Sequence, residues 1–167
     1  MSIGKVLLVD DIDAIREISR FYFESMADFT FLEAASGEEA SKVIQDNPDL
    51  FLVFSDFNMH PGNGFSVLKS LRAVSKAPFI LHTSEDIKNH PEFNGYENVY
   101  HADKPLNIDD LTKLVQKFIA EKNTDSQQAP QLNESQFLPV HLSLLSMIQT
   151  VKCPIYIAVG EIGRAHV

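Results

Sequence analysis

Phe51-Leu52-Val53-Phe54-Ser55-Asp56-Phe57-Asn58-Met59-His60-Pro61-Gly62-Asn63-Gly64 is the stretch that decides the fold. Its first four residues are all apolar, with β-branched and aromatic members, the pattern of a strand covered on both faces. That strand carries a single acid, Asp56, to its C-terminal end and stops at a loop holding Pro61, Gly62 and Gly64. In an open parallel α/β sheet this edge is where ligands bind. An acid at a strand end, taken alone, reads as a turn former or a helix cap. The surrounding chain decides against that reading.

Upstream, Val6-Leu7-Leu8-Val9 repeats the buried-strand pattern and ends in Asp10-Asp11. Ile15, Ile18, Tyr22 and Met26 follow at three- and four-residue spacings and predict an amphipathic helix, with Asp11 or Asp13 placed to cap it. Thr30-Phe31-Leu32-Glu33-Ala34 predicts a short strand. Ser36 and Glu39 have the spacing of a capping box, opening a helix that carries Ala40, Val43 and Ile44 and stops before Pro48. Downstream of Asp56, Phe65, Leu68, Leu71 and Val74 stripe a third helix. Phe79-Ile80-Leu81 predicts a fourth strand leading into His82-Thr83-Ser84. Residues 85–98 are broken by Pro91 and Gly95, so one or two helical turns at most are expected there. Val99-Tyr100-His101 predicts a fifth strand followed by Asp103-Lys104-Pro105. From about Ile108, Leu111, Leu114, Val115, Phe118 and Ile119 stripe the last helix. This alternation predicts an α/β fold, a doubly wound five-stranded parallel sheet with right-handed crossovers.

A chain of 167 residues with 44% apolar content has room for one full domain and a remainder. Its formal charge of −9 argues against a nucleic-acid-binding surface and suits a cation site or basic partners. Cys153 is the single cysteine, which excludes an internal disulfide framework and a cysteine-based zinc site. The start, Met1-Ser2-Ile3-Gly4-Lys5, leads into too few apolar residues for a signal-peptide core, and no run reaches the roughly 18 apolar residues of a membrane span. A cytoplasmic location without membrane contact is expected. Residues 1–122 form the first domain; 123–135, rich in Gln, Asn and Ser, predict a flexible linker. Apolar residues return in 136–161, the expected start of a truncated output domain. Ile162-Gly163-Arg164-Ala165-His166-Val167 matches the translation of a common sequencing-adapter read, so 162–167 are expected to be a non-native tail.

In a parallel sheet the strand ends bearing Asp10, Asp11, Asp56 and Thr83, and Lys104 after the fifth strand, share one edge. Three packed carboxylates repel unless a cation intervenes. Oxygen ligands without His or Cys suit a hard ion such as Mg²⁺. A hydroxyl and an ammonium beside them are the groups that hold a phosphoryl group. The chemistry implied is phosphoryl transfer to Asp56 as nucleophile, with Mg²⁺ and Lys104 neutralising charge.

Leu7-Leu8-Val9-Asp10-Asp11, Asp56-Phe57-Asn58-Met59 with Gly64, Thr83 and Lys104-Pro105, in this order, resemble the receiver domain of bacterial two-component response regulators, over roughly residues 3 to 121. The resemblance implies the flavodoxin-like strand order 2-1-3-4-5. It implies that Asp56 accepts phosphate from a sensor histidine kinase or phosphotransfer protein, and that Asp11, Asp56 and the Asn58 carbonyl ligate Mg²⁺ directly, Asp10 through water. It implies a salt bridge from Lys104 to the phosphoryl group and a movement of Thr83 towards it. It places a switch residue at His101, where Tyr or Phe is usual, and a cis bond at Lys104-Pro105. The domain would then be a signalling phosphoacceptor and not an enzyme, with an unknown output partner and no nucleic acid bound through the receiver. Three departures stand out: His60 four residues after Asp56 with Pro61 one place late, Ser84 after Thr83, and a short fourth-helix region. Two other readings stay open. One is a pseudo-receiver that binds partners without phosphorylation. The other is an aspartyl-phosphate phosphohydrolase, which would need an acid where Asn58 stands.

Overall fold

The computed structural model describes residues 1–87 and 90–127. They form β1 (Lys5–Val9), α1 (Asp13–Met26), β2 (Thr30–Ala34), α2 (Gly37–Asp46), β3 (Leu50–Asp56), α3 (Gly64–Val74), β4 (Phe79–Thr83), a 3₁₀ turn (Pro91–Phe93), β5 (Val99–Asp103) and α4 (Ile108–Gln127). The strands make one parallel sheet in the order β2-β1-β3-β4-β5, as expected. All seven residues of β3 are buried, which is why its sequence lacks the polar alternation of a half-exposed strand.

Alternating side chains feed two cores. Leu7, Val9, Val53 and Leu81 pack with Ile44 of α2 and Val67, Leu68 and Leu71 of α3. Val6, Leu8, Phe54 and Ile80 pack with Phe23 of α1 and Leu111, Val115 and Phe118 of α4. Register sets the functional edge: Val9 lies beside Ser55, Asp56 beside His82, and Thr83 beside Asp103. No helix among the described residues is long and apolar enough to cross a membrane.

Three local expectations change. The buried face of α1 carries Ser19 and Phe23, while Ile18 is 49% exposed, so the stripe through Ile15, Tyr22 and Met26 turns towards Phe23 and away from Ile18. The N-cap of α1 is Ile12 without a side-chain cap, and neither Asp11 nor Asp13 caps it. Instead Asp10 Oδ1 accepts from the Ile12 amide at 2.9 Å. The last helix runs to Gln127, so residues 123–127, the first part of the expected linker, are helical. Thr124 Oγ1 donates to the Ala120 carbonyl within that turn. The residues Met1–Thr124 form one compact unit. Residues 128–161 and the tail 162–167 lie outside the described residues.

Ser36 caps α2 as its spacing predicted, accepting from the Glu39 amide at 3.1 Å, while Glu39 reaches back to the Ala35 amide at 2.7 Å. Between β4 and β5 only the 3₁₀ turn is helical among the described residues. Arg72 ties this connection down, donating to the carbonyls of Ala77 at 2.9 Å and Glu97 at 2.8 Å.

Candidate functional site

Each strand end delivers one piece of the site. The Asp10 amide donates to the Ala34 carbonyl at 3.2 Å, so the backbone stays tied to β2 one residue beyond β1. Asp56 closes β3, and both acids are buried, at 5% and 6% exposure, whereas Asp11 is exposed. One oxygen from each of Asp10, Asp11 and Asp56 lies within 4.8 Å of the others. Lys104 brings the opposing charge: its Nζ donates to Asp56 Oδ1 at 2.9 Å and sits 3.9 Å from Asp10 Oδ2. The Lys104-Pro105 bond is cis, as is His60-Pro61.

Burial pushes the Asp10 carboxyl above its ordinary value, and the Asp56 and Asp11 charges add to that. The Ile12 amide and Lys104 pull it back. A carboxylate destabilised by burial and by neighbouring acids is the situation a bound cation relieves.

The remaining expected residues divide. Thr83 is buried at the end of β4; its carbonyl accepts from the Lys104 amide at 3.1 Å and its Oγ1 from the Glu85 amide at 3.2 Å. Asn58 is exposed two residues past Asp56, and its amide donates to Glu85 Oε1 at 2.7 Å. His101 stands apart, lining a cavity of about 240 Å³ with Leu81, Ile87, Phe93, Tyr96, Val99 and Tyr100. Its Nδ1 is 3.1 Å from Asp103 Oδ1, and neither ring nitrogen makes a hydrogen bond among the described residues. Tyr100, one place earlier, packs on Phe118 instead.

Two residues absent from the sequence expectations bear on this edge. Glu85 holds Asn58, and Arg16 of α1 donates to the Asp10 carbonyl at 2.6 Å. Arg16 lies on α1 and Glu85 in the loop after β4, and neither belongs to the acid, hydroxyl or Lys-Pro motifs that mark this edge in the sequence. The donor set itself fits a hard divalent cation: three carboxylates converge, and among the described residues no His or Cys joins them.

The model of the family described as "Response regulator receiver domain" matches residues 6–116. The chain belongs to the response regulator receiver family. Among relatives of this receiver, a chemotaxis protein CheY homolog of Campylobacter jejuni is 33% identical over 84 residues, 48% of this chain and 65% of that protein. The transcriptional regulatory protein CpxR of Klebsiella pneumoniae is 37% identical over 83 residues, 48% of this chain and 34% of CpxR. Among solved structures, the receiver domain from the hybrid histidine kinase CckA superposes with a TM-score of 0.58 at 27% identity, covering 70% of this chain and 99% of that one. The match thus spans just under two thirds of the CheY homolog and about a third of CpxR.

Proposed function

We propose that Asp56 of this receiver is a phosphoacceptor, charged by a sensor histidine kinase or a phosphotransfer protein with Mg²⁺ as cofactor, and that the added charge switches the conformation of the domain. The observation that carries this reading is Asp56 itself: a buried carboxylate at a strand end, held by Lys104 at 2.9 Å and grouped with two further acids. An Asp56 oxygen attacks the phosphorus of a phosphohistidine in line; the new O–P bond forms as the N–P bond breaks. The electron pair stays on the imidazole nitrogen, which takes a proton from water.

Asp10, Asp11, Asp56 and the Asn58 carbonyl would hold Mg²⁺, which when bound supplies positive charge against the transferring oxygens. Lys104 keeps Asp56 in place before transfer and faces the new charge after it. The Thr83 hydroxyl, which accepts here, retains its own proton to donate to a phosphoryl oxygen. Asn58 in place of a second acid leaves the acyl phosphate without an adjacent general base, which suits a signal that persists and not a turnover enzyme. His101 is the switch position, and the cavity it lines beside Leu81 and Ile87 gives its ring room to change places.

Intact mass spectrometry after incubation with acetyl phosphate, with and without Mg²⁺, tests the reading. One Mg²⁺-dependent phosphoryl adduct in the wild type, absent from Asp56→Asn, is the expected result. A folded wild type that takes no adduct would leave a phosphorylation-independent interaction module.

A further inference from the structure

Arg16 is out of place for a surface arginine. Its side chain is 12% exposed although it lies on α1, whose neighbouring charged residues face solvent. Each of its nitrogens has a separate task. Nη1 donates to the Asp10 carbonyl at 2.6 Å, Nε donates to Glu33 Oε2 on β2 at 3.2 Å, and Nη2 pairs with Asp13. One planar fork thus joins the end of β1, the edge strand β2 and the first turn of α1 at the residue that begins the acid pair. The Asp10 side chain accepts from the Ile12 amide at 2.9 Å, and its own amide donates to the Ala34 carbonyl at 3.2 Å. The helix supplies no N-cap side chain here, so the turn from β1 into α1 takes its order from Arg16 and Asp10.

We propose that Arg16 is a positioning residue for the divalent-cation site: by fixing the Asp10 main chain it sets where the Asp10 and Asp11 carboxylates stand relative to Asp56. This rests on the cation reading given above. Through-space electrostatics makes the opposite prediction. A guanidinium this near an acid cluster repels a divalent cation, so its removal should tighten binding. Groups that orient metal ligands show the reverse, and their loss weakens affinity roughly 10–100-fold.

The test is calorimetric titration of Mg²⁺ into the full chain for wild type, Arg16→Gln, Arg16→Lys and Arg20→Gln, with circular dichroism reporting folding. Arg20 is the control, since it pairs with Glu24 and Glu33 without touching Asp10. The expected result is a dissociation constant raised about tenfold in Arg16→Gln and severalfold in Arg16→Lys, with Arg20→Gln unchanged or slightly tighter. Arg16→Lys keeps the charge and loses the fork, so it decides the matter if Arg16→Gln does not fold. Wild-type affinity retained or improved in the folded Arg16 variants overturns the positioning role and leaves the cation site standing. A wild type that binds no Mg²⁺ overturns both.

Discussion

At the scale of single residues, His82 is the side chain whose burial has the clearest consequence. It is 6% exposed, stacked on Phe54 at 5.1 Å between ring centroids, and neither nitrogen has a hydrogen-bond partner among the described residues. Burial, with the Lys104 and His101 charges adding, pushes its pKa down to about 4 from the ordinary 6.5. The unfolded chain therefore takes up a proton near pH 6.5 that the folded chain refuses until about pH 4. Stability from this group is complete above pH 6.5 and is lost as pH falls through that window, by up to about 3 kcal/mol at roughly 1.4 kcal/mol per pH unit. His82→Leu removes both the titration and the unpartnered nitrogens at similar volume. Urea denaturation at pH 7.5 and pH 5 should find the variant at least as stable as wild type at the higher pH and clearly more stable at the lower. Equal losses in the two proteins on acidification would show that His82 does not carry this dependence.

At the scale of elements, α2 meets α3 and the loop before it through small residues, and Gly37 is one point of close approach. A Cβ on Gly37 would lie 2.8 Å from the Gly62 carbonyl carbon and 2.8 Å from Ser66 Oγ, and the Glu38 amide already donates to the Pro61 carbonyl at 3.3 Å. Gly62 has φ +80°, a conformation that glycine adopts without strain, so the loop cannot easily yield. Gly37→Ala gains under about 1 kcal/mol of helix propensity and forces backbone apart at a cost of about 1–3 kcal/mol. A net loss of stability is expected by chemical denaturation; a gain would mean the loop moves aside freely. The same elements show what the sequence discloses and what it conceals. Strand ends were legible because β1 and β3 are continuous apolar runs that stop at acids, and a parallel sheet gathers such ends by topology alone. The face of α1 was not, since Ile18 and Phe21 add apolar residues outside the face that packs, and Phe23 and Ser19 settle the matter only by contact. The end of α4 was concealed for the opposite reason: residues 123–126 are polar and exposed, and a helix without an apolar stripe reads as linker. Arg16 and Glu85 were invisible because each acts through a partner brought near by folding.

At the scale of the whole molecule, the sheet that organises two well-packed cores also concentrates repulsion at one edge. Asp10, Asp11 and Asp56 converge within 4.8 Å against one close ammonium, Lys104. Asp10 shows the sign of the strain: its folded pKa lies above the ordinary 3.8, chiefly through burial, so this carboxyl adds stability as pH falls through its folded value and gives it up as pH rises. Near neutral pH the folded state thus carries a penalty located at the site and not in the core. A divalent cation that binds the folded cluster should relieve it, stabilising the domain by about 1.4 kcal/mol at a concentration near ten times its dissociation constant. For a domain of this size that raises the melting midpoint by roughly 3–6 °C. Asp56→Asn and Asp11→Asn should lose most of the rise. Leu68→Ala, which opens a cavity in the core under α3, should melt lower by its own amount and keep the cation increment, because the two perturbations share no partner. Thermal melts of these four proteins with Mg²⁺ and with chelator separate the terms. If Asp56→Asn gains as much from Mg²⁺ as wild type does, the cation binds elsewhere, and the convergence of three acids at the strand ends must be explained without it.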